Sequence, residues 1–318
     1  MSEYKIKGLA FQGGGTLGIS HVGAIQVFEE KGILDNIKYF VGTSSGAIVA
    51  TMLSCNADVK RLKEILCEKD FKELQDDSYG VIRDINRFIS SYGWYKGDKL
   101  EEWYEEALKE FTGDGDITFK QAYEKYGKHL TITTTNMNIG KTVYLSHETS
   151  PDMMLRTAIR RSSLIPFVFK ADKEQIKSTV FEDNEIKEKI VENYFADGGM
   201  LHNYPIQVLD KYLEFDEVVG LKLLSTEDLQ KIKIPEIASH STENIIDYIM
   251  SFINIIQNQA LKLHVEEKDW KRTVKIDVRN ISSTDFNLSE EDKKFLLKQG
   301  KDAAENFLKL RESSMNIN

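Results

Sequence analysis

Ile37-Lys38-Tyr39-Phe40-Val41-Gly42-Thr43-Ser44-Ser45-Gly46-Ala47-Ile48-Val49-Ala50-Thr51-Met52-Leu53 passes from one apolar run into another through G-x-S-x-G. Ile37 to Val41 reads as a short strand and Ala47 to Leu53 as a buried helix, so the pentapeptide falls on the sharp turn between them. Such a turn forces its central residue, Ser44, into a sparsely populated backbone conformation and lifts the hydroxyl above the sheet edge. Gly42 and Gly46 leave room where two backbones cross, because a Cβ there would collide. A glycine-lined turn carrying an inert serine has the same sequence. The rest of the chain must decide between the two.

Upstream, Tyr4 to Phe11 alternates and then turns apolar, as a strand buried at its far end would. Gln12-Gly13-Gly14-Gly15-Thr16-Leu17-Gly18 follows, then Ile19 to Glu30 with apolar residues at helical spacing and Gly32 as its stop. The opening is therefore a βαβα unit, which predicts a three-layer α/β/α sandwich around a mostly parallel sheet. From Asn56 to Lys128 the texture becomes helical, charged and aromatic, and is expected to form a helical layer or cap. Asp58 opens one helix there, and Asp98 with Glu101 reads as a capping box for another. Among its aromatics are Tyr92, Trp94, Tyr95, Trp103 and Tyr104.

Downstream, His129–Thr135 and Lys141–Ser146 read as paired strands, and Asp152 to Arg161 as a helix. Lys170 to Glu192 is polar and reads as a solvated excursion. Glu217–Leu224 and Val274–Val278 are expected strands, and Glu243–Glu267 and Ser289–Leu310 expected helices, the last opened by Ser289 with Asp292. No repeat, proline-rich linker or low-complexity tract divides the chain, so residues 1–318 are expected to form a single domain.

A formal net charge of −9 without a Lys/Arg cluster excludes a nucleic-acid partner and electrostatic docking on an anionic bilayer. Any peripheral membrane contact would have to be mainly apolar. Cys55 and Cys67 make neither a disulfide framework nor a metal site. With no secretory signal at the start and no apolar stretch of about 20 residues, a cytoplasmic protein is expected.

Three successive glycines between a strand and a helix let several N–H groups converge beside a positive helix end, which suits an oxyanion or a phosphate. Gly13-x-Gly15-x-x-Gly18 also matches the dinucleotide fingerprint. That site wants an acid at the end of the second strand, and here that strand ends in Gly42-Thr43-Ser44. The nucleotide reading falls, and no cofactor is expected. A serine nucleophile needs a base and donors for its oxyanion. Asp197 is a candidate acid, followed by Gly198 and Gly199, which let its loop approach another backbone. His202, His240 and His264 lie after it in the order a Ser–Asp–His triad would take.

The glycine triplet, Gly42-Thr43-Ser44-Ser45-Gly46, Ser162-Ser163-Leu164-Ile165-Pro166, and Asp197-Gly198-Gly199 with Asn203-Tyr204-Pro205 occur in that order. Jointly they resemble the patatin-like phospholipases, over roughly Ile6–Leu53, His129–Phe169 and Tyr194–Leu224. The resemblance implies a Ser–Asp dyad without histidine. Ser44 would be nucleophile, Asp197 base, and the N–H groups of Gly13, Gly14 and Gly15 the oxyanion hole. It also implies a phospholipid or lysophospholipid substrate met at a membrane or micelle surface, cleaved by a phospholipase A or lysophospholipase reaction. A non-hydrolytic lipid-binding or lipid-sensing module, or an acyltransferase using the same serine, would carry the same motifs. At Leu17 the chain departs from the many relatives that carry Arg or Lys, which removes a cation near the site.

Overall fold

A computed structural model describes residues 4–68, 93–182, 184–225, 248, 251–253, 255–256, 259–260, 264–283, 285 and 287–315. The strands are β1 (Gly8–Phe11), β2 (Tyr39–Gly42), β3 (Gly93–Tyr95), β4 (His129–Asn136), β5 (Lys141–Ser146), β6 (Phe167–Phe169), β7 (Asp172–Glu182), β8 (Glu185–Asp197), β9 (Val218–Leu224) and β10 (Thr273–Asp277). The helices are α1 (Ile19–Glu30), α2 (Ser45–Ser54), α3 (Val59–Glu68), α4 (Asp98–Thr112), α5 (Phe119–Tyr126), α6 (Leu155–Ser163), α7 (Gly199–His202) and α8 (Glu290–Met315).

Eight strands form one sheet in the order β10-β9-β1-β2-β4-β8-β7, with β5 also paired to β4. From β10 to β4 every pairing is parallel, whereas β5, β8 and β7 join antiparallel. The fold is the expected mixed α/β architecture around a mostly parallel sheet. Alternation along the central strands divides the core between the two faces. Leu9, Phe11 and Phe40 join the large cluster that includes α1, α2, α4, α6 and α8. Ala10 and Val41 point the other way, onto Tyr204, Ile206, Leu209 and Val218. α2 is apolar all round, and all ten of its residues are buried, as a helix wedged between sheet and outer helices must be.

α1 and α2 lie where the sequence puts them, and Ser289 caps α8 by accepting from the Asp292 N–H. The Asp98–Glu101 box does not form. Gly97, left-handed at φ 77°, occupies the N-cap without a side-chain bond, while the Glu101 carboxylate accepts from Arg156 and Thr157 of α6. Two donors from a packed helix outcompete one terminal N–H. In the stretch read as a cap, Trp103, Tyr104 and Leu108 of α4 are buried in the main core, and Tyr92 lies outside the described residues. The supposed excursion Lys170–Glu192 is instead most of a long hairpin, β7 against β8. Most of the expected helix Glu243–Glu267, and His240, lie outside the described residues. Among the described residues no helix is long and apolar enough to cross a membrane.

Candidate active site

β2 and β8 reach the same edge of β4 from opposite directions. β2 runs parallel to β4 and ends with Gly42 opposite Ile132. β8 runs antiparallel and ends with Asp197 opposite Thr134. β5 spans Thr131–Asn136 on the other edge, so β2 and β8 share one lane and meet nearly end to end. Ser44 leaves the end of β2, and its hydroxyl donates a hydrogen bond to the Asp197 carboxylate.

The turn at Ser44 is strained, with φ 51° and ψ −124° on a non-glycine residue. The close crossing behind it requires glycine at position 46, where a Cβ would stand 2.5 Å from the Phe11 carbonyl oxygen. The Ser44 N–H donates to Ser162 Oγ at 2.8 Å. The same segment receives the acid loop: Asp197 N–H donates to the Leu164 carbonyl at 2.8 Å, and Gly198 N–H to that of Ser162 at 3.2 Å. Ser162 therefore ties the Ser44 turn to the Asp197 loop, a role its place in the motif did not specify.

Asp197 is buried, with 3% of its surface exposed, and among the described residues it has no cationic partner. Burial pushes its pKa up to about 6, against the opposing pull of hydrogen bonds from the Gly199 N–H and the Ser44 hydroxyl. The Gly199 bond measures 2.6 Å.

The glycine loop faces this pair. Gly14 N–H donates to Ser45 Oγ at 3.0 Å. Gly15, at φ 54°, opens the 3₁₀ turn Gly15–Gly18 that feeds α1, and its N–H has no hydrogen-bond partner among the described residues. Gly13 departs from expectation. Its N–H is spent on the Asn203 carbonyl at 3.1 Å, while Asn203 Nδ2 donates back to the Gly13 carbonyl at 3.3 Å. That reciprocal pair clamps the glycine loop to the segment after the acid and withdraws one of the three expected donors.

A family model described as Patatin-like phospholipase matches residues 9–210, which include every residue of this constellation. The chain belongs to the patatin-like phospholipase family. It is 29% identical to protein R571 of Acanthamoeba polyphaga mimivirus over 94% of this chain and 93% of that one. It is 27% identical to YqhO of Bacillus subtilis over 94% and 97%. It is 24% identical to Triacylglycerol lipase 4 of Saccharomyces cerevisiae over 80% of this chain but only 29% of the lipase. Among solved structures, VipD from Legionella pneumophila shares the fold with a TM-score of 0.60 at 18% identity, covering 97% of this chain and 67% of that one.

In this patatin-like chain, among the described residues, neither His202 nor His264 bonds to Ser44 or Asp197. His202 Nδ1 bonds the Tyr144 hydroxyl at 2.9 Å, and the ring stacks on His264 with centroids 4.3 Å apart. Burial lowers its pKa to about 4. Both rings line a cavity of about 580 Å³ together with Thr131, Gln207 and Lys211, and neither Ser44 nor Asp197 lines it. His21 is buried on the Gln12 carbonyl at 2.9 Å. At the start of β4 and just after β5, ligand atoms of His129, His147 and Glu148 lie within 4.8 Å of one another and could hold a metal ion. Glu148 is already engaged there by Lys211 at 3.0 Å and Tyr212 at 2.8 Å.

Proposed function

We propose that the protein is a lipid acyl hydrolase of the phospholipase A or lysophospholipase type, with Ser44 as nucleophile and Asp197 as the group that takes and returns its proton. The observation that carries this reading is the hydrogen bond from a hydroxyl on a strained turn to a buried carboxylate with a pKa of about 6. An aspartate near its ordinary value of about 3.9 is a weak base. One near 6 lies closer to neutral pH yet is still mostly ionised there, the balance general-base catalysis needs.

Ser44 Oγ attacks the ester carbonyl carbon while its proton passes to Asp197. The charge gathering on the carbonyl oxygen is met by the N–H groups of Gly14 and Gly15, with Ser45 yielding its hold on Gly14. Collapse breaks the bond to the leaving alcohol, whose oxygen takes the proton from Asp197. Water then attacks the acyl-enzyme, Asp197 receives its proton and returns it to Ser44, and the fatty acid leaves. Oxyanion donors of this kind are each worth on the order of 10²–10³ in rate. The names of Triacylglycerol lipase 4 and of the Probable lipid hydrolase 463L of Invertebrate iridescent virus 6 support a lipid ester as substrate class.

The test is fatty-acid release from phosphatidylcholine and lysophosphatidylcholine vesicles, read by mass spectrometry, with fluorophosphonate labelling alongside. Ser44→Ala should lower turnover by at least about 10⁴-fold and abolish labelling. His202→Ala should keep turnover within a few-fold. Retained turnover in Ser44→Ala would sink the assignment, loss in His202→Ala without unfolding would restore a triad, and failure of the intact protein to label would favour an inert lipid-binding module.

A further inference from the structure

β8 does more than deliver Asp197. Phe195 of β8 already pairs with Asn136, the last residue of β4, so Glu185–Tyr194 and their partners on β7 extend past the carboxyl edge of the sheet. Ser44 leaves β2 at that same edge. At about 3.4 Å per residue the hairpin reaches roughly 30 Å beyond it. The β4–β5 turn braces its base: Met137 N–H donates to the Tyr194 carbonyl at 2.8 Å, and Asn138 Nδ2 to that of Glu192 at 3.1 Å.

The hairpin's two faces differ. Residues paired across an antiparallel ladder share a face. Asp172 and Glu174 put one face against Arg161 of α6, at 2.6 and 2.7 Å. The opposite face holds the pairs Phe181–Ile186, Thr179–Glu188 and Lys177–Ile190. Phe181, Ile186 and Ile190 on that face are 71%, 77% and 72% exposed. The charges between them cancel, since Lys177 and Glu188 pair at 2.5 Å. Met137 and Ile139, exposed on the bracing turn, add apolar surface at the same edge.

Resting on the lipid-hydrolase reading above, the geometry points to this hairpin face as the surface that docks the active-site edge onto an uncharged lipid surface. Three large apolar side chains on a strand pair held clear of the body lose water only by entering something apolar. Lys177, Lys187 and Lys189 of the hairpin are each matched by a glutamate, so it offers no surplus positive charge, and the net charge of −9 opposes an anionic membrane. The occupant is therefore zwitterionic or neutral lipid, held by apolar contact. Docking there brings the edge that bears Ser44 to the lipid from which an ester must be drawn.

The experiment floats the full chain carrying Ser44→Ala, so that lipid is bound without being consumed, on phosphatidylcholine vesicles. The protein should float, and should still do so at about 0.5 M salt, where charge attraction is screened. Adding Phe181→Ser, Ile186→Ser and Ile190→Ser should cut vesicle partitioning by at least tenfold, with the near-ultraviolet circular dichroism unchanged. In the active chain the same three substitutions should slow vesicle hydrolysis and leave hydrolysis of a soluble short-chain ester as it was. Undiminished flotation of the triple variant overturns the proposal. So does absence of flotation, flotation that requires anionic lipid and vanishes in salt, or a concentration-dependent dimer that the triple variant abolishes without any vesicle binding. Because flotation uses inactive protein, failure of the hydrolase reading appears as absent turnover and cannot be mistaken for failure of docking.

Discussion

Two of the described aspartates are buried, and they are treated in opposite ways. Asp269 has none of its surface exposed and receives Arg272 Nη2 at 2.7 Å, the Glu266 N–H at 3.0 Å and Gln207 Nε2 at 2.6 Å. Arg272 in turn reaches Asp210 at 2.8 Å, so its charge is shared between two carboxylates. Asp197 is as deeply enclosed, yet among the described residues its carboxylate has only neutral donors, the Gly199 N–H and the Ser44 hydroxyl. A buried carboxylate matched by a guanidinium has its charge offset and its oxygens engaged in that pair. One left to neutral donors keeps part of its desolvation cost as basicity. The difference separates a carboxylate that fastens the fold from one able to move a proton.

The sharpest way to break this contrast is Asp197→Asn. If Asp197 transfers the proton, ester hydrolysis should fall by about 10³–10⁴-fold, the scale seen when a triad base is disabled. In the unaltered protein, the rate should drop about tenfold per pH unit below about 6, where the carboxylate takes up its proton. Stability should move the other way. The folded-state pKa lies above the unfolded one, so ionisation favours unfolding. The cost is absent below pH 4, grows as pH rises to about 6, and is complete above it, at about 3 kcal/mol for a shift of this size. Asp197→Asn should therefore unfold at higher denaturant than the parent at pH 8 and at equal denaturant at pH 4. A variant that stays active, or loses stability at pH 8, ends the comparison.

Asp269→Asn tests the other half. Removing one partner from a buried ion pair leaves an uncompensated charge, which costs about 3–5 kcal/mol. Because Asp210 still holds Arg272, the lower end, about 3 kcal/mol, is expected. Turnover per folded molecule should be unchanged. Denaturant melts at pH 5 and pH 8, with activity normalised to the folded fraction, check both statements.

How legible each half was follows from sequence distance. The Ser44 turn is written within a single strand–turn–helix, and its glycines announce the crossing that the structure contains. Asp197 could be singled out by its two glycines, and by resemblance, but not by any local rule that brings it to Ser44. That contact needs β8 to share β4's edge with β2, a pairing between residues 59 to 63 positions apart along the chain. The hairpin was hidden by its charges: Lys and Glu at nine of the 24 positions of β7 and β8 mask the alternation of Ile176 and Val180, and strand pairing rather than burial holds it. Asp98 and Glu101 failed for a related reason, since a four-residue pattern cannot register that Arg156 and Thr157 will pack beside it. The Gly13 N–H is likewise taken by Asn203, 190 residues later.

Ser162 gives the finest probe of the neutral scaffold. Its hydroxyl accepts from the Ser44 N–H, and its carbonyl accepts from the Gly198 N–H beside Asp197. Ser162→Ala keeps the carbonyl and removes only the hydroxyl, leaving a buried N–H unsatisfied at the most strained residue of the site. Such a loss costs about 1–3 kcal/mol. Because the bond holds Ser44 in a backbone conformation it would otherwise leave, much of that cost should fall on the geometry of attack, as a drop of about tenfold in kcat with KM little changed. Thr at this position carries a hydroxyl and should recover part of the rate, whereas Ala and Val should not. If Ala lowers stability but leaves kcat untouched, Ser162 fastens the loops without positioning the nucleophile. The unpaired state of Asp197 would then stand alone as what distinguishes it from Asp269.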